Sequence, residues 1–171
     1  MLDLSKPRAP AFAPADAGAI AKEVVALGSK SGRAVSDVEL VYAGSEQALI
    51  WADPAQLRQL IWNLVRNAVQ ASSAGDAVRV EVGIASDERV ELRVIDQGPG
   101  IDEQAKRSLF DAFFTTRAHG TGIGLAVVKR IADEHGFTIQ VESNAARGAT
   151  FRVGLGKLHR VVEIDGDLTQ N

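Results

Sequence analysis

The chain has 171 residues, of which 46% are hydrophobic and 24% charged, so it has the size and composition of one globular domain with a sizeable core. The formal net charge of -3 and the lack of a Lys/Arg cluster argue against nucleic-acid binding, and no apolar run is long enough to span a bilayer. Cysteine is absent, which excludes thiol chemistry, and the start does not resemble a signal peptide, so we expect a cytoplasmic domain without membrane contact.

The N-terminal third is predicted to contain a linker, a helix and a hairpin. Residues 1–14 hold three of the five prolines, which is typical of a linker. Apolar residues at helical spacing predict a helix over Ala15–Leu27. Two short apolar segments, Val38–Ala43 and Ala48–Trp51, predict a β-hairpin.

A longer helix is predicted to begin at Asp53. Asp53 suits the N-cap and Pro54 the first helical position, and Gln56 is placed to complete a capping box. The helix is expected to run to about Ser72, with Gly75 available as a stop.

Strands and helices alternate through the rest of the chain. Strands are predicted at about 78–82 and 90–94, a short helix from Asp102 to about Leu109, and a helix from about Gly122 to His135. Strands over Thr138–Glu142 and Thr150–Leu155 then complete a domain of residues 15–156. Residues 157–171 are expected to be a tail, with one candidate strand at Val161–Ile164. These patterns predict an α+β fold, with helices on one face of a sheet and water on the other.

One face of the helix from Asp53 is polar but almost uncharged. It carries amides and a single arginine where a solvent-facing helix usually carries Glu and Lys: Gln56, Gln59, Asn63, Arg66, Asn67 and Gln70. Asn63 and Asn67 are one turn apart on that face. Either the face is simply solvated, or an amide oxygen binds Mg²⁺, a cation that prefers oxygen ligands and takes the others from phosphate.

Asp96 follows a predicted strand and shares the parity of its buried residues. A carboxylate on the covered face of a sheet must be paired or hydrogen-bonded. It either caps the turn at Gly98-Pro99-Gly100 or accepts a hydrogen bond from an adenine amino group, which would select ATP over GTP. Gly98 and Gly100 would let the backbone approach the base, and Ile101 would supply apolar contact.

A glycine-rich run, Gly120-Thr121-Gly122-Ile123-Gly124, opens the helix that continues through Leu125. Free N–H groups at a helix start suit a phosphate, although a plain glycine-rich turn has the same composition. The spacing matches neither a dinucleotide motif nor a Walker loop.

The segment between these motifs is rich in phenylalanine, with Phe110, Phe113 and Phe114 close together. These rings either pack in the core or form a hinge for a short mobile lid over Thr115–His119. In the second case Arg117 would reach a phosphate.

The order of these segments resembles the catalytic and ATP-binding domain of sensor histidine kinases, within the ATPase group that includes gyrase B, Hsp90 and MutL. The boxes of that family are matched in order by Leu60–Ala68 (N box), Asp96–Ile101 (G1), Leu109–Arg117 (F) and Gly120–Ala126 (G2), followed by His135-Gly136 and Gly148–Phe151. The F box and the short lid look most like the nitrogen-regulation type. The resemblance implies a Bergerat-type two-layer sandwich with a mixed, mostly antiparallel sheet.

The resemblance also implies ATP and Mg²⁺ as ligands. It assigns Asn67 as the metal ligand and, with Arg117, as a catalytic residue. The other implied nucleotide contacts are Asn63, Arg66, Gln70, Ala71, Asp96, Gly98, Gly100, Ile101, Phe110, Thr115, Thr116, Gly120, Thr121, Gly122, Ile123, Gly124 and Leu125.

Three positions depart from the family pattern. Ala149 stands where the family usually has Thr near the adenine, so a water-bridged contact is lost. Gly156 replaces a customary Pro, with little consequence. Asn63 stands where the hydrolytic ATPases of the group carry a Glu that activates water, which favours transfer to an external nucleophile over hydrolysis.

The phosphate acceptor of this family is a His on an upstream helical hairpin. The histidines here, His119, His135 and His159, lie outside any such motif. Leu2–Pro7 looks like the exit from that hairpin, so we expect a kinase fragment whose partners are its own dimerisation domain and, through phospho-His, a response regulator. Two alternatives stay open. One is a nucleotide-sensing module without catalysis, and the other is a serine kinase or ATPase of the same fold, against which Asn63 argues.

Overall fold

The computed structural model of the protein describes residues 8–30, 37–104, 106–107 and 121–160, with the backbone alone at 121–123. Its elements with defined bounds follow one another along the chain: β1 (Ala13–Asp16), α1 (Ala17–Lys30), β2 (Glu39–Gly44), β3 (Leu49–Ala52), α2 (Pro54–Ala71), β4 (Ala77–Ile84), β5 (Arg89–Ile95), α3 (Thr121–His135), β6 (Thr138–Ser143) and β7 (Ala149–Lys157).

The main sheet has five strands in the order β2-β4-β5-β7-β6. β2 pairs with β4 in parallel, and the other neighbours pair antiparallel. β1 and β3 form a separate two-stranded antiparallel sheet. The predicted α+β fold with a mixed, mostly antiparallel sheet is therefore confirmed.

The core lies between one face of the main sheet and the helices. Alternate residues of β4, β5 and β7 are buried there, and α2 contributes a stripe of fully buried aliphatic side chains: Leu57, Leu60, Ile61, Leu64 and Val65. Both α1 and α3 contact α2. Arginine and glutamate occur at the opposite parity in these strands, so the period of two places charged groups on the other face.

Ion pairs cover that other face. Arg93 lies directly opposite Arg152 in the register of β5 and β7, an unfavourable pairing for two like charges. Acidic neighbours offset it: Glu81 lies 3.4 Å from Arg93, and Glu142 lies 2.7 Å from Arg152. Glu91 lies within 4 Å of both arginines.

The predicted hairpin of Val38–Ala43 with Ala48–Trp51 is wrong. Both segments are strands, but β2 is an edge strand of the main sheet and β3 pairs with β1. The chain leaves the main sheet at Gly44, which has a φ of +113° and lies so close to β4 that a Cβ would be 2.3 Å from the carbonyl oxygen of Val82. Alternation predicts a strand but does not identify its partner.

The N-terminal boundary also differs from the prediction. Pro14, placed in the linker, lies in β1, where a two-stranded sheet tolerates it. The helix begins at residue 17 rather than at Ala15, because Asp16 caps it: the Asp16 carboxylate accepts the N–H groups of Ala19 at 3.1 Å and Ala48 at 2.9 Å. At the other end β7 extends to Lys157, one residue into the predicted tail.

Several predictions fall partly or wholly outside the described residues. These are the F box at Leu109–Arg117, the lid at Thr115–His119 and the candidate strand at Val161–Ile164. Of the short helix after Asp102, residues 103–104 and 106–107 are helical, and Lys106 donates to the carbonyl of Asp102 at 2.8 Å. Within the described ranges there is no helix that is long and apolar enough to cross a membrane.

Candidate functional site

The polar face of α2 forms one wall of the candidate site. Asn63 and Asn67 are half-buried, and neither side chain makes a hydrogen bond or ion pair with any residue in the described part of the chain. Arg66 and Gln70 are exposed beside them. Two amides one turn apart, without a partner among the described residues, could accept a ligand's donors or bind a cation.

The start of α3 lies against this wall. A Cβ placed on Gly124 would be 3.9 Å from the Cβ of Asn63, which is ordinary contact. The helix begins at Thr121, as predicted within a residue, so its first N–H groups have no acceptor within the helix. Gly124, the last glycine of the run, and the amide face are thus neighbours, although they are about sixty residues apart in sequence.

Asp96 supplies a buried carboxylate at the end of β5. Its side chain is 4% exposed, which confirms the predicted burial. One oxygen, Oδ1, accepts the N–H groups of Gly98 at 2.9 Å and Ala149 at 3.1 Å. The other, Oδ2, accepts nothing from the residues that the structure describes. Asp96 therefore caps its turn, which is one of the two roles predicted for it. Oδ2 has no donor among the described residues and could accept a hydrogen bond from a ligand.

Glycines allow the loop after Asp96 to approach α2 and β7. A Cβ on Gly98 would be 2.5 Å from the carbonyl oxygen of Ala71, at the end of α2. Gly148 has a φ of +100°, and a Cβ there would be 1.9 Å from the carbonyl oxygen of Asp96. No side chain fits at either place, so these glycines are required by packing.

The turn between β6 and β7 supports the same loop through two residues that the sequence analysis missed. Ser143 hydrogen-bonds the backbone of Ile101, and the Asn144 amide donates to the carbonyl of Asp96 at 3.2 Å. Both are common turn residues, so nothing in the local sequence distinguishes them. Their role depends on a contact more than 40 residues distant.

A second buried carboxylate, Asp53, caps α2 as predicted. Its Oδ1 accepts the N–H groups of Ala55 and Gln56, while Oδ2 accepts the Arg8 guanidinium at 2.6 Å and the Ala11 N–H at 2.8 Å. Burial alone would raise the pKa of Asp53, but the hydrogen bonds from Ala11, Gln56 and Arg8 outweigh it and hold the pKa below its ordinary value.

The predicted capping box is wrong in one respect. The Asp53 N–H is accepted not by Gln56 but by Nε2 of His135, at 3.1 Å, while Nδ1 of His135 donates to the carbonyl of Ile131 at 2.8 Å. Gln56, which we placed on the polar face, is 6% exposed and donates to the carbonyl of Arg8 at 3.0 Å. The entering chain covers this end of the helix and redirects the glutamine.

Two contacts connect the described members of the predicted site: Gly124 meets Asn63, and Gly98 packs against Ala71 at the end of α2. Arg66, Asn67 and Gln70 lie on α2 between Asn63 and Ala71, and Asp96, Gly100 and Ile101 belong to the same loop as Gly98. Leu125 differs, because its side chain is 1% exposed and belongs to the core. Outside the described residues lie Phe110, Thr115, Thr116, Arg117 and Gly120, and for Thr121, Gly122 and Ile123 the backbone alone is described. Ile101 is partly buried and packs on the core beside the loop.

Within the described ranges no three His, Asp or Glu side chains are grouped in a way that could hold a metal ion. A divalent cation at this site would therefore depend on amide oxygens such as those of Asn63 and Asn67, completed by oxygens of a ligand.

Comparisons with known proteins agree with this geometry. Residues 52–158 match the family model described as histidine kinase-, DNA gyrase B-, and HSP90-like ATPase. The chain is 35% identical over 151 residues to the signal transduction histidine-protein kinase AtoS of Escherichia coli, covering 88% of this chain and 25% of AtoS. It thus spans about a quarter of that relative's length.

Solved structures, among them one of the histidine kinase ThkA, are similar to it as well. Full-length ShkA in complex with AMPPNP superposes with a TM-score of 0.73 at 29% identity, covering 88% of this chain and 32% of ShkA. ThkA in complex with the response regulator TrrA gives a TM-score of 0.73 at 28% identity, covering 90% of this chain and 44% of the ThkA chain. The chain therefore belongs to the histidine kinase-, DNA gyrase B- and HSP90-like ATPase family, as a catalytic domain of the sensor histidine kinase kind.

Proposed function

We propose that this domain binds ATP with Mg²⁺ and transfers the terminal phosphoryl group to a His on a separate dimerisation domain. The observation that carries the proposal is a set of polar groups on α2 and on the loop that packs against the end of α2: the amides of Asn63 and Asn67, and Oδ2 of Asp96. Each is buried or half-buried and has no partner in the described part of the chain. Ligand groups would satisfy them.

Adenine recognition is assigned to the loop Asp96–Ile101. Oδ1 of Asp96 is already held by two backbone N–H groups, so the free Oδ2 can accept the amino group of the base. Guanine presents a carbonyl oxygen at that position, which leaves two acceptors facing each other. Ile101, packed on the core, offers an apolar surface to the ring.

Metal binding is assigned to Asn67, with Asn63 one turn away. The fit rests on the chemistry of the donors, because an amide oxygen is a suitable ligand for Mg²⁺ and these two amides have no competing partner among the described residues. When bound, Mg²⁺ neutralises phosphate charge and so stabilises the transition state. The N–H groups at the start of α3, next to Asn63, are placed to bind phosphate oxygens.

Phosphoryl transfer breaks the bond between the terminal phosphorus and the bridging oxygen of ATP and forms a phosphorus–nitrogen bond to the acceptor imidazole, with ADP as leaving group. The domain supplies position and charge rather than a base. Asn63 cannot take a proton from water, so hydrolysis is expected to be slow. Arg117 is proposed to contact the phosphates.

The proposed partners follow from the same reaction. A dimerisation domain carrying the acceptor His would precede the Pro-rich N-terminal segment, and the ATP-binding domain would comprise residues 13–157, from the start of β1 to the end of β7. A response regulator would then receive the phosphoryl group, as the structure of ThkA with TrrA suggests for this chain. A cytoplasmic location, where ATP is available, belongs to the proposal, and so does the nitrogen-regulation type.

The test is incubation of the domain with γ-labelled ATP and Mg²⁺, with and without the upstream acceptor domain. We expect label that is acid-labile and alkali-stable on the acceptor domain, and neither labelling of the isolated chain nor rapid phosphate release. Asn67→Ala is the matched inactive variant, and Gln140→Ala, which removes an exposed amide of β6, is the control that keeps activity. Acid-stable label would indicate a serine kinase, and ATP binding without transfer would indicate a nucleotide-sensing module; either outcome would overturn the proposal.

A further inference from the structure

Both ends of the loop Asp96–Ile101 are held by the turn between β6 and β7. At the first end, the Asn144 amide donates to the carbonyl of Asp96 at 3.2 Å. At the second end, Oγ of Ser143 accepts the N–H of Ile101 at 3.0 Å and donates to the carbonyl of the same residue. Two adjacent side chains thus bind the two residues that the proposed function places against the base.

The Asn144 amide has one orientation that satisfies its surroundings. Its Nδ2 faces the carbonyl oxygens of Asp96 and Arg147, at 3.2 and 3.4 Å, and these can only accept. Its Oδ1 accepts the hydroxyl of Thr150 at 2.6 Å. Thr150 is 5% exposed, so its hydroxyl is shielded from water. Its hydrogen bond therefore fixes the orientation of the Asn144 amide.

The turn itself is closely packed against Asp96. The N–H of Asn144 donates to the carbonyl of Gly148 at 2.9 Å, which closes the turn. The backbone of Gly148 lies so near the carbonyl of Asp96 that no Cβ fits between them. Asp96 is therefore held by the turn at its backbone carbonyl and, through the N–H of Ala149, at Oδ1.

We propose that Asn144 and Ser143 are positioning residues for base recognition, Asn144 for the carboxylate of Asp96 and Ser143 for Ile101. The inference rests on the proposed function, because it requires ATP to bind at this loop. A hydrogen bond weakens steeply when its distance or angle departs from the optimum. The hydrogen bond from the base therefore depends on residues that hold the carboxylate in position without touching the base.

The test uses two nucleotides that differ only in the group that Asp96 is proposed to accept. ATP and purine riboside 5′-triphosphate, which lacks the 6-amino group, are titrated by calorimetry in Mg²⁺. We expect the wild type to prefer ATP by about tenfold, since loss of the amino group leaves a buried acceptor unpaired. In Asn144→Ala the preference should fall to about threefold or less, mainly through weaker ATP binding.

Thr150→Val provides an independent variant that keeps the volume of the side chain but removes the hydroxyl behind Asn144. Thr150→Val should also reduce the preference for ATP over purine riboside 5′-triphosphate, but by less than Asn144→Ala does. Ser143→Ala should weaken both nucleotides by about threefold, and Ser143→Thr should restore them because it keeps the hydroxyl. Ser29→Ala is the matched control, as that serine donates to the carbonyl of Val25 at 2.9 Å within α1 and should change nothing.

The nucleotide preference separates positioning from mere stability, because a general loss of stability affects both nucleotides alike. A preference that is unchanged in both Asn144→Ala and Thr150→Val would overturn the inference while leaving ATP binding intact. Failure of the wild type to bind ATP would overturn the proposed function together with the inference.

Discussion

The two ends of α2 handle buried polar groups in opposite ways. At the N-terminal end both oxygens of Asp53 are occupied, by two N–H groups of the helix, one of the entering chain and a guanidinium. Toward the C-terminal end, Asn63 and Asn67 have no partner among the described residues, and the nearby Asp96 uses one oxygen of two. Both regions contain buried or half-buried polar side chains, so burial alone does not identify a ligand-binding site.

This difference distinguishes a structural carboxylate, Asp53, from one that we propose binds a ligand, Asp96. A group whose hydrogen-bonding capacity is filled by the protein contributes to stability. A buried group that lacks a hydrogen-bond partner lowers the stability of the free protein. A ligand that supplies the partner raises the stability again. Substitutions at the two ends should therefore separate into effects on unfolding and effects on ATP.

The largest expected effect is on transfer, in Asn67→Ala. Loss of the proposed metal ligand should reduce Mg²⁺-dependent phosphotransfer by at least about a hundredfold. The free energy of unfolding should stay within about 0.5 kcal/mol, since Ala favours the helix and no hydrogen bond to a described residue is lost. Transfer to a supplied acceptor domain at the wild-type rate would remove Asn67 from the site.

Asp53→Ala should have the largest effect on stability. It removes the cap of α2 and leaves the N–H of Ala11 and the Arg8 guanidinium without their acceptor, at a cost of about 3 kcal/mol. Urea unfolding measures this cost, and Asp16→Ala, the cap of α1 without a cationic partner, is the comparison that should lose less. Asp16 also accepts an N–H from outside its own helix, that of Ala48, so equal losses for the two caps would show that the Arg8 guanidinium adds nothing.

The pH dependence of stability should carry the same signature. Because the pKa of Asp53 is lower in the folded chain than its ordinary value of 3.8, the ionised group stabilises the fold above that pH, and the contribution is lost as the pH falls through the lower, folded value. The stability difference between wild type and Asp53→Asn should therefore be constant from pH 7 to about pH 5 and shrink below about pH 4. If the stability difference between wild type and Asp53→Asn grew as the pH fell, it would contradict a lowered pKa for Asp53 in the folded chain.

Arg8→Ala should give the smallest effect, a loss of about 0.5 to 1 kcal/mol that decreases in high salt. The Arg8 side chain is 57% exposed, so water and ions screen its pair with Asp53, and the N–H of Ala11 still satisfies the same oxygen. Denaturant midpoints at low and high ionic strength measure this directly. A loss as large as that of Asp53→Ala would mean that the arginine, rather than the cap, holds this end together.

Much of the fold was predictable because its signals are local. The cap at Asp53, the apolar stripe of α2 and the alternation in β4 and β5 depend on residues a few positions apart, and the structure confirms them. The burial of Asp96 was predictable for the same reason. The partners of β2 and β3 were not, since a strand's own pattern carries no information about its neighbour.

The candidate site was predictable as a set of motifs but not as a support structure. The amides of α2, Asp96 and the glycine run were found by composition and order. In the structure Gly124 contacts Asn63, and the loop after Asp96 packs against the end of α2. The bonds from Asn144 to Asp96 and from His135 to the cap of α2 join residues 48 and 82 positions apart. Only tertiary packing brings such pairs together.

The central claim is that Oδ2 of Asp96 is reserved for the amino group of adenine, and Asp96→Asn tests it most directly. The amide keeps an oxygen for the N–H groups of Gly98 and Ala149 but places a donor where the base presents its own. Calorimetric titration should show ATP affinity reduced about ten- to a hundredfold, with the free energy of unfolding nearly unchanged. Equal ATP affinity in wild type and Asp96→Asn, or GTP binding as tight as ATP binding by the wild type, would contradict the account.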